Sequence, residues 1–304
     1  SFYKGEIAER IDKFSKESGG YIRKSDLENF KPQWVEPLSI NYRGYDVYEM
    51  PPNSQGIVAL MALNILKGFE FTERDSLYTF HNQIEAIKLA FSDGLKYIAD
   101  PSYMDVNVSE LLSDAYADER RKQISKRASL PAPGTPPKGG TVYLAAADND
   151  GNMISYIQSN YVGFGSGLVV PGTGIALHNR GNSFSLDQNH VNCIAPGKRP
   201  YHTIIPGFLA KDGKPVGPFG VMGAFMQPQG HVQVVMNTID FNLNPQASLD
   251  APRWQWIKDK KVIIEHGVPS KIAEGLSSLG HDICLSEDTD SFGRGQIIWK
   301  NDNG

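Results

Sequence analysis

The chain has 304 residues, 40% of them hydrophobic, with a formal net charge of -4 and a pI near 6.0. That supplies a core for one large domain or two ordinary ones, while the mild acidity and the lack of a basic stripe exclude nucleic acid as an expected partner. The longest apolar run, over 58–66, is too short to cross a bilayer and reads as a buried helix in a soluble protein, cytoplasmic or secreted.

Ser1-Phe2-Tyr3-Lys4 is neither an initiator Met nor a signal peptide and leads straight into helical periodicity, which points to a chain whose beginning has been removed. Ile7, Ile11, Phe14 and Ser18 share one helical face, and Gly19-Gly20 ends that helix. Ser25-Asp26-Leu27-Glu28 has capping-box spacing and starts a short second helix. The stretch 35–50 is strand-like around a bend at Gly44 and stops at Pro51-Pro52. Ser54 is placed to cap a helix with Val58, Met61, Ala62, Ile65 and Leu66 as its apolar stripe, closed by Gly68. A long helix over 75–100 and an amphipathic segment over 109–124 complete the first part.

Composition then shifts. The Pro/Gly-rich run 131–140 holds neither a helix nor a sheet ladder. It separates a helix-rich part from a strand-rich one. Strands follow over 141–148 and 152–161, turning at Asp150-Gly151. Then come a Gly-rich bend over 163–167, short strands around 168–170 and 175–179, and a long loop to Arg199-Pro200. A hairpin turns at Asp212-Gly213, a helix lies beyond Pro228, and a last helix covers 270–279. Hairpins flanked by helical pairs predict a layered α+β fold.

Thr141 is the residue of most chemical interest. It opens an apolar strand directly behind the Pro/Gly run. Cutting the preceding peptide bond would place a free α-amine beside its own Oγ, so that amine serves as general base for the nucleophile. On the local residues alone, a plain linker followed by a β-favouring Thr is the simpler account. Antiparallel pairing about Asp150-Gly151 brings Ser159 toward the strand start, where it either bonds the nucleophile or faces solvent. The small residues of Val221–His231 lie between a strand and a helix. Such a turn either offers two N–H groups to an oxyanion or is simply a compact connection. Gly163-x-Gly165-x-Gly167 lacks a following helix and a downstream acid, so it reads as a bend rather than a dinucleotide loop. Seven histidines form no H-E-x-x-H pattern, and Cys193 and Cys284 stand far apart, so no metal, cofactor or disulfide framework is expected. His178, His202 and His231 read as packing residues.

Several stretches together resemble the γ-glutamyltranspeptidase family of N-terminal-nucleophile hydrolases, in particular its acylase-like branch. They are Asn41-Tyr42-Arg43-Gly44-Tyr45, Glu49-Met50-Pro51-Pro52, Ala99-Asp100-Pro101-Ser102-Tyr103, Thr141-Val142-Tyr143, Asp148–Asn152, Gly163–Gly167, Gly197-Lys198-Arg199-Pro200, Asn237-Thr238-Ile239-Asp240 and Ala251-Pro252-Arg253. The resemblance implies an αββα four-layer sandwich and a precursor that cuts itself between Gly140 and Thr141. Residues 1–140, with the linker over 131–140, would then end the large subunit, and 141–304 would form the small one within a single intertwined domain.

By the same resemblance, Thr141 attacks an amide carbonyl and forms an acyl-enzyme, Ser159 assists it, and Gly223 with Ala224 forms the oxyanion hole. Ala224 replaces a glycine there. Tyr161, Arg180 and Ser183 occupy positions where the family holds a glutamyl α-amino group. His202 and Thr203 replace paired serines that grip its α-carboxylate. A cationic Arg180 favours a carboxylate over an ammonium, so the expected substrate is a small amide with an acidic acyl group, γ-glutamyl or, better, glutaryl. The resemblance also implies further chain before Ser1 and after Gly304, and an inactive fragment without it. The competing expectation is an unprocessed, non-catalytic member that only binds an acidic ligand.

Overall fold

A computed structural model describes residues 1–130 and 140–300; the expected linker over 131–139 lies outside them. Helix α1 (Glu6–Glu17) ends at Ser18, with Gly19 at φ 75° as the glycine pair predicts. In α2 (Lys24–Asn29) the capping falls differently from the expectation. Asp26, rather than Ser25, makes the cap by accepting the Arg23 N–H at 2.7 Å. Strands β1 (Leu38–Tyr42) and β2 (Tyr45–Glu49) form a hairpin whose Arg43-Gly44 turn has φ of 52° and 86°, matching the twist of the strands it joins.

Helix α3 (Gly56–Leu66) is buried at every position rather than along a stripe, because other layers enclose it. Ser54 does not cap it; the Ser54 hydroxyl donates to the Ile204 carbonyl at 2.6 Å, and Gln55 stands at the helix start. Ser76 caps the long α4 (Leu77–Tyr97) by accepting the Thr79 N–H. The amphipathic segment divides into α5 (Val108–Leu111) and α6 (Asp114–Arg121), since Ser113 caps a new helix through the Tyr116 N–H.

Past the linker, β3 (Gly140–Ala147) pairs antiparallel with β4 (Met153–Tyr161), and β5 (Val169–Val170) with β6 (Ile175–Ala176). β7 (Gly207–Lys211) and β8 (Lys214–Val221) turn at Asp212-Gly213 as expected. Helix α7 (Met226–Ile239) starts two residues before Pro228, so the proline lies in the first turn, where a missing N–H costs nothing. α8 (Pro245–Asp250), β9 (Trp254–Lys258), β10 (Lys261–Glu265), α9 (Ser270–Ser278), β11 (Asp282–Ser286) and β12 (Gly295–Ile297) close the chain. Of these, only α9 is visible in the sequence pattern.

The main sheet is antiparallel, in the order β1-β2-β7-β8-β12. It therefore interleaves strands from before and after the linker. Phe219 and Val221 of β8 join α3, α4 and α7 in the main core on one face. Gly220, between them, faces the other way. A Cβ there would stand 2.5 Å from the Tyr143 ring of β3, and Ser155 of β4 donates its hydroxyl to the Gly207 carbonyl at 2.8 Å. The β3–β4 hairpin thus forms a second sheet over the first, with helices beneath. The architecture is α+β, as expected. A smaller sheet, β11-β10-β9, adds a parallel β10–β11 pair connected through α9.

Gly220→Val forces a branched side chain into the Tyr143 ring. It should lower stability by about 1–3 kcal/mol, read from the midpoint of chemical denaturation.

Candidate active site

The start of β3 is irregular. Val142 pairs with Gln158 while Gly140 pairs with Tyr161, so β4 carries one extra residue across this step. Thr141 sits in that step. Its Oγ1 donates to the Ser159 Oγ at 3.2 Å, and the same Ser159 oxygen accepts the Tyr161 N–H at 2.8 Å. Tyr161 holds φ at 81°, a left-handed conformation rare for a bulky aromatic.

The turn after β8 places Gly223 at φ 132° and Ala224 at φ 53°. Both are left-handed values that a glycine adopts freely and an alanine at a cost of about 1–2 kcal/mol. Their carbonyls accept the Met226 and Gln227 N–H groups at 2.9 and 3.1 Å, opening α7. Their own N–H groups have no hydrogen-bond partner among the described residues. Arg253 buttresses the turn from behind, donating to the Phe292 and Gly293 carbonyls at 3.0 and 2.9 Å while Gly293 packs against the Met222 carbonyl. Tyr143 lies on Gly220, and Ser155, paired with Ala145, reaches Gly207, paired with Phe219. Stepping back along β3 to Thr141 therefore leads toward the end of β8 and this turn.

Beyond Tyr161 the polar residues continue. The Arg180 guanidinium lies 4.9 Å from the Tyr161 ring centre, and its Nη1 donates to the Thr203 hydroxyl at 3.0 Å. Arg180 is only 5% exposed, and its Nη2 has no partner. Burial pushes its pKa down to about 10, so it stays cationic at neutral pH. The Ser183 hydroxyl donates to the Arg180 carbonyl at 2.6 Å. The Tyr161 phenol is raised by burial, with the Arg180 charge opposing. His202 is pushed down to about 3, chiefly by burial and then by Arg180 and His178.

A cavity of about 620 Å³ borders Arg180 and His202. Lys31, Arg180 and Arg199 give its wall three cations, and among the described residues no Asp or Glu lines it. Thr141, Ser159, Tyr161, Ser183, Thr203, Gly223 and Ala224 lie outside that lining. Thr141, Ser159 and Tyr161 connect to it through the Ser159–Tyr161–Arg180 contacts, and Ser183 and Thr203 through their bonds to Arg180. Gln55, not singled out in the sequence, joins two of these parts. Its Nε2 donates to the Thr203 carbonyl at 2.6 Å and to the Ala224 carbonyl at 2.8 Å. The available signal was an amide heading a helix that is apolar at every position but Asn64.

His231 does pack: its Nε2 accepts the Val221 N–H at 3.1 Å, so Nδ1 donates to the buried Glu49 at 2.6 Å. The sequence conceals a second buried group, His81, Glu85 and His281, whose potential ligand atoms lie within 4.8 Å of one another. Lys88 occupies the same cluster, 2.7 Å from Glu85, and the two imidazoles bond each other at 2.9 Å. These polar groups satisfy one another.

The sequence model described as Gamma-glutamyltranspeptidase matches residues 1–304. The chain belongs to this family. Among its γ-glutamyltranspeptidase-family relatives, the glutathione hydrolase-like YwrD proenzyme of Bacillus subtilis is 37% identical over 95% of this chain and 56% of its own length. The oxamate amidohydrolase proenzyme of Klebsiella pneumoniae is 33% identical over 100% of this chain and 59% of its own. The crystal structure of cephalosporin acylase from Bacillus halodurans superposes with a TM-score of 0.96 at 62% identity, covering 100% of this chain and 56% of that one. The chain thus spans less than two thirds of the length of each of these three proteins.

Gln55→Leu orphans the Thr203 carbonyl, worth about 1–3 kcal/mol when buried and unpaired, and leaves the Ala224 carbonyl with the Gln227 N–H alone; denaturant titration should show that loss. Ala224→Gly relieves the left-handed strain and should leave stability unchanged or raised by up to about 1 kcal/mol in the same titration.

Proposed function

We propose that this chain is part of an amidohydrolase or acyltransferase that cleaves a γ-glutamyl or glutaryl-type amide through an acyl-enzyme on Thr141. Scission between Gly140 and Thr141 would leave 1–140 as the end of a large subunit and 141–304 as the small one. The single observation supporting this most is the Thr141–Ser159 hydroxyl pair at the strand start.

The freed α-amine takes the Thr141 hydroxyl proton as Oγ1 attacks the substrate carbonyl. Ser159 orients Oγ1 while its own oxygen is fixed by the Tyr161 N–H. The unpaired N–H groups of Gly223 and Ala224 stabilise the tetrahedral oxyanion, a role worth about 3–4 kcal/mol per donor in such sites. The intermediate collapses, the amine leaves with the proton, and water or an acceptor amine then releases the acyl group. Arg180 bears on the acyl group's identity. It is a buried cation with no carboxylate partner among the described residues, so it favours an acidic chain and disfavours an ammonium.

Mass spectrometry of the purified full-length protein should reveal two fragments separated before Thr141, and a single chain for Thr141→Ala. An active protein intact at this bond would refute the mechanism. Steady-state kinetics should favour a glutaryl amide over the γ-glutamyl amide of the same leaving group. The reverse preference would remove the assignment made to Arg180.

A further inference from the structure

His178 and His202 border the same cavity as Arg180, from either side of it in the chain. Each imidazole is held in one tautomer by the backbone two residues ahead. The Arg180 N–H donates to His178 Nδ1 at 3.2 Å, and the Ile204 N–H donates to His202 Nδ1 at 3.3 Å. An Nδ1 that accepts leaves the proton of a neutral ring on Nε2. Each ring therefore keeps an Nε2–H donor, and neither donor has a partner among the described residues. The Arg180 Nη2, also unpartnered, adds a third on a side chain that is 95% buried, being 5% exposed.

We propose that His178 and His202 act with Arg180 as a three-donor site for the distal carboxylate of the acyl chain, which makes His178 a further specificity-determining residue. This rests on the amidohydrolase reading for the identity of the ligand, a short dicarboxylic monoamide. One guanidinium supplies the charge and two neutral imidazoles supply direction. A carboxylate has about four lone-pair sites and can accept all three bonds. Neutral donors suit this place, since two more full charges beside a buried guanidinium would repel it. His202 is already held neutral by its surroundings. Among the described residues, the cavity wall contributes no acidic side chain to compete for the donors.

The test uses the full-length protein carrying Thr141→Ala, which performs no acyl transfer, so binding is measured apart from the chemistry. Isothermal titration with glutarate should show saturable binding, and glutaramide, its neutral diamide, should bind at least about tenfold more weakly. His178→Phe should weaken glutarate at least about tenfold, the loss expected for one charge-assisted bond. His178→Gln, which keeps an N–H near the same place, should recover most of that loss. His202→Phe should behave as His178→Phe does. Equal binding of glutarate and glutaramide, unchanged affinity in His178→Phe with an unaltered melting temperature, or competition by inorganic phosphate as effective as by glutarate would overturn the site. Glutarate binding without any turnover of glutaryl amides by the unsubstituted protein would instead leave this site standing and sink the amidohydrolase reading.

Discussion

One residue too many in β4 governs the geometry around Thr141. In a regular antiparallel ladder, neighbours across the strands would keep step to the end of the hairpin. Here the ladder loses register between Val142 and Gly140, and the side chain in the gap is re-aimed. The same irregularity carries Tyr161 into a left-handed conformation, which points its N–H at Ser159 and its ring beneath Arg180. The Thr141 hydroxyl, the Ser159 hydroxyl and the Tyr161 ring beneath Arg180 are therefore placed relative to one another by the backbone path of β4.

Arg180 is poorly explained as a stabilising residue. Burying a guanidinium carries an effective penalty of several kcal/mol. The Thr203 hydrogen bond and the Tyr161 ring return about 1–2 kcal/mol each at best. Lys88, buried like Arg180, pairs with Glu85, the half-buried Arg43 and Arg120 pair with Asp240 and Asp93, and the buried Arg253 guanidinium spreads over three backbone carbonyls. A cation left half-satisfied beside a cavity with no acid among its described lining residues has room for a negative charge from outside the chain.

Much of the fold was legible because its signals are local. Paired left-handed residues mark the β1–β2 and β7–β8 turns, and the α4 cap is read from Ser76 in the structure at the boundary periodicity expects within two residues. The motifs that carried the family resemblance prove to be mostly scaffold. Asn41–Tyr45 meets Asn237–Asp240 where the Tyr42 hydroxyl and the Arg43 guanidinium share Asp240. Ala99–Tyr103 meets Gly197–Pro200 where Asp100 accepts the Arg199 N–H at 2.9 Å. What stayed hidden depends on partners far along the chain. Gln55 follows the expected cap Ser54 with nothing local to mark it until Thr203 and Ala224 come to it. The His81–His281 contact joins residues 200 apart, and β9–β12 carry no turn signal as strong as Asp-Gly. The slip in register beside Thr141 is likewise invisible to a period-of-two reading, which can place Ser159 nearby but not against the threonine.

The interleaved sheet has a consequence for any severed form of the chain. β2, from before residues 131–139, is stitched to β7, from after them, over Tyr45–Lys211 to Tyr48–Phe208. Breaking the backbone between the two halves would leave that seam closed, and the pieces would stay together without a covalent tie. Once pulled apart, however, they would have to find each other by diffusion before the sheet could be rewoven. Such a severed form would be a ratchet: it would persist by the slowness of its opening rather than by the depth of an equilibrium it can revisit.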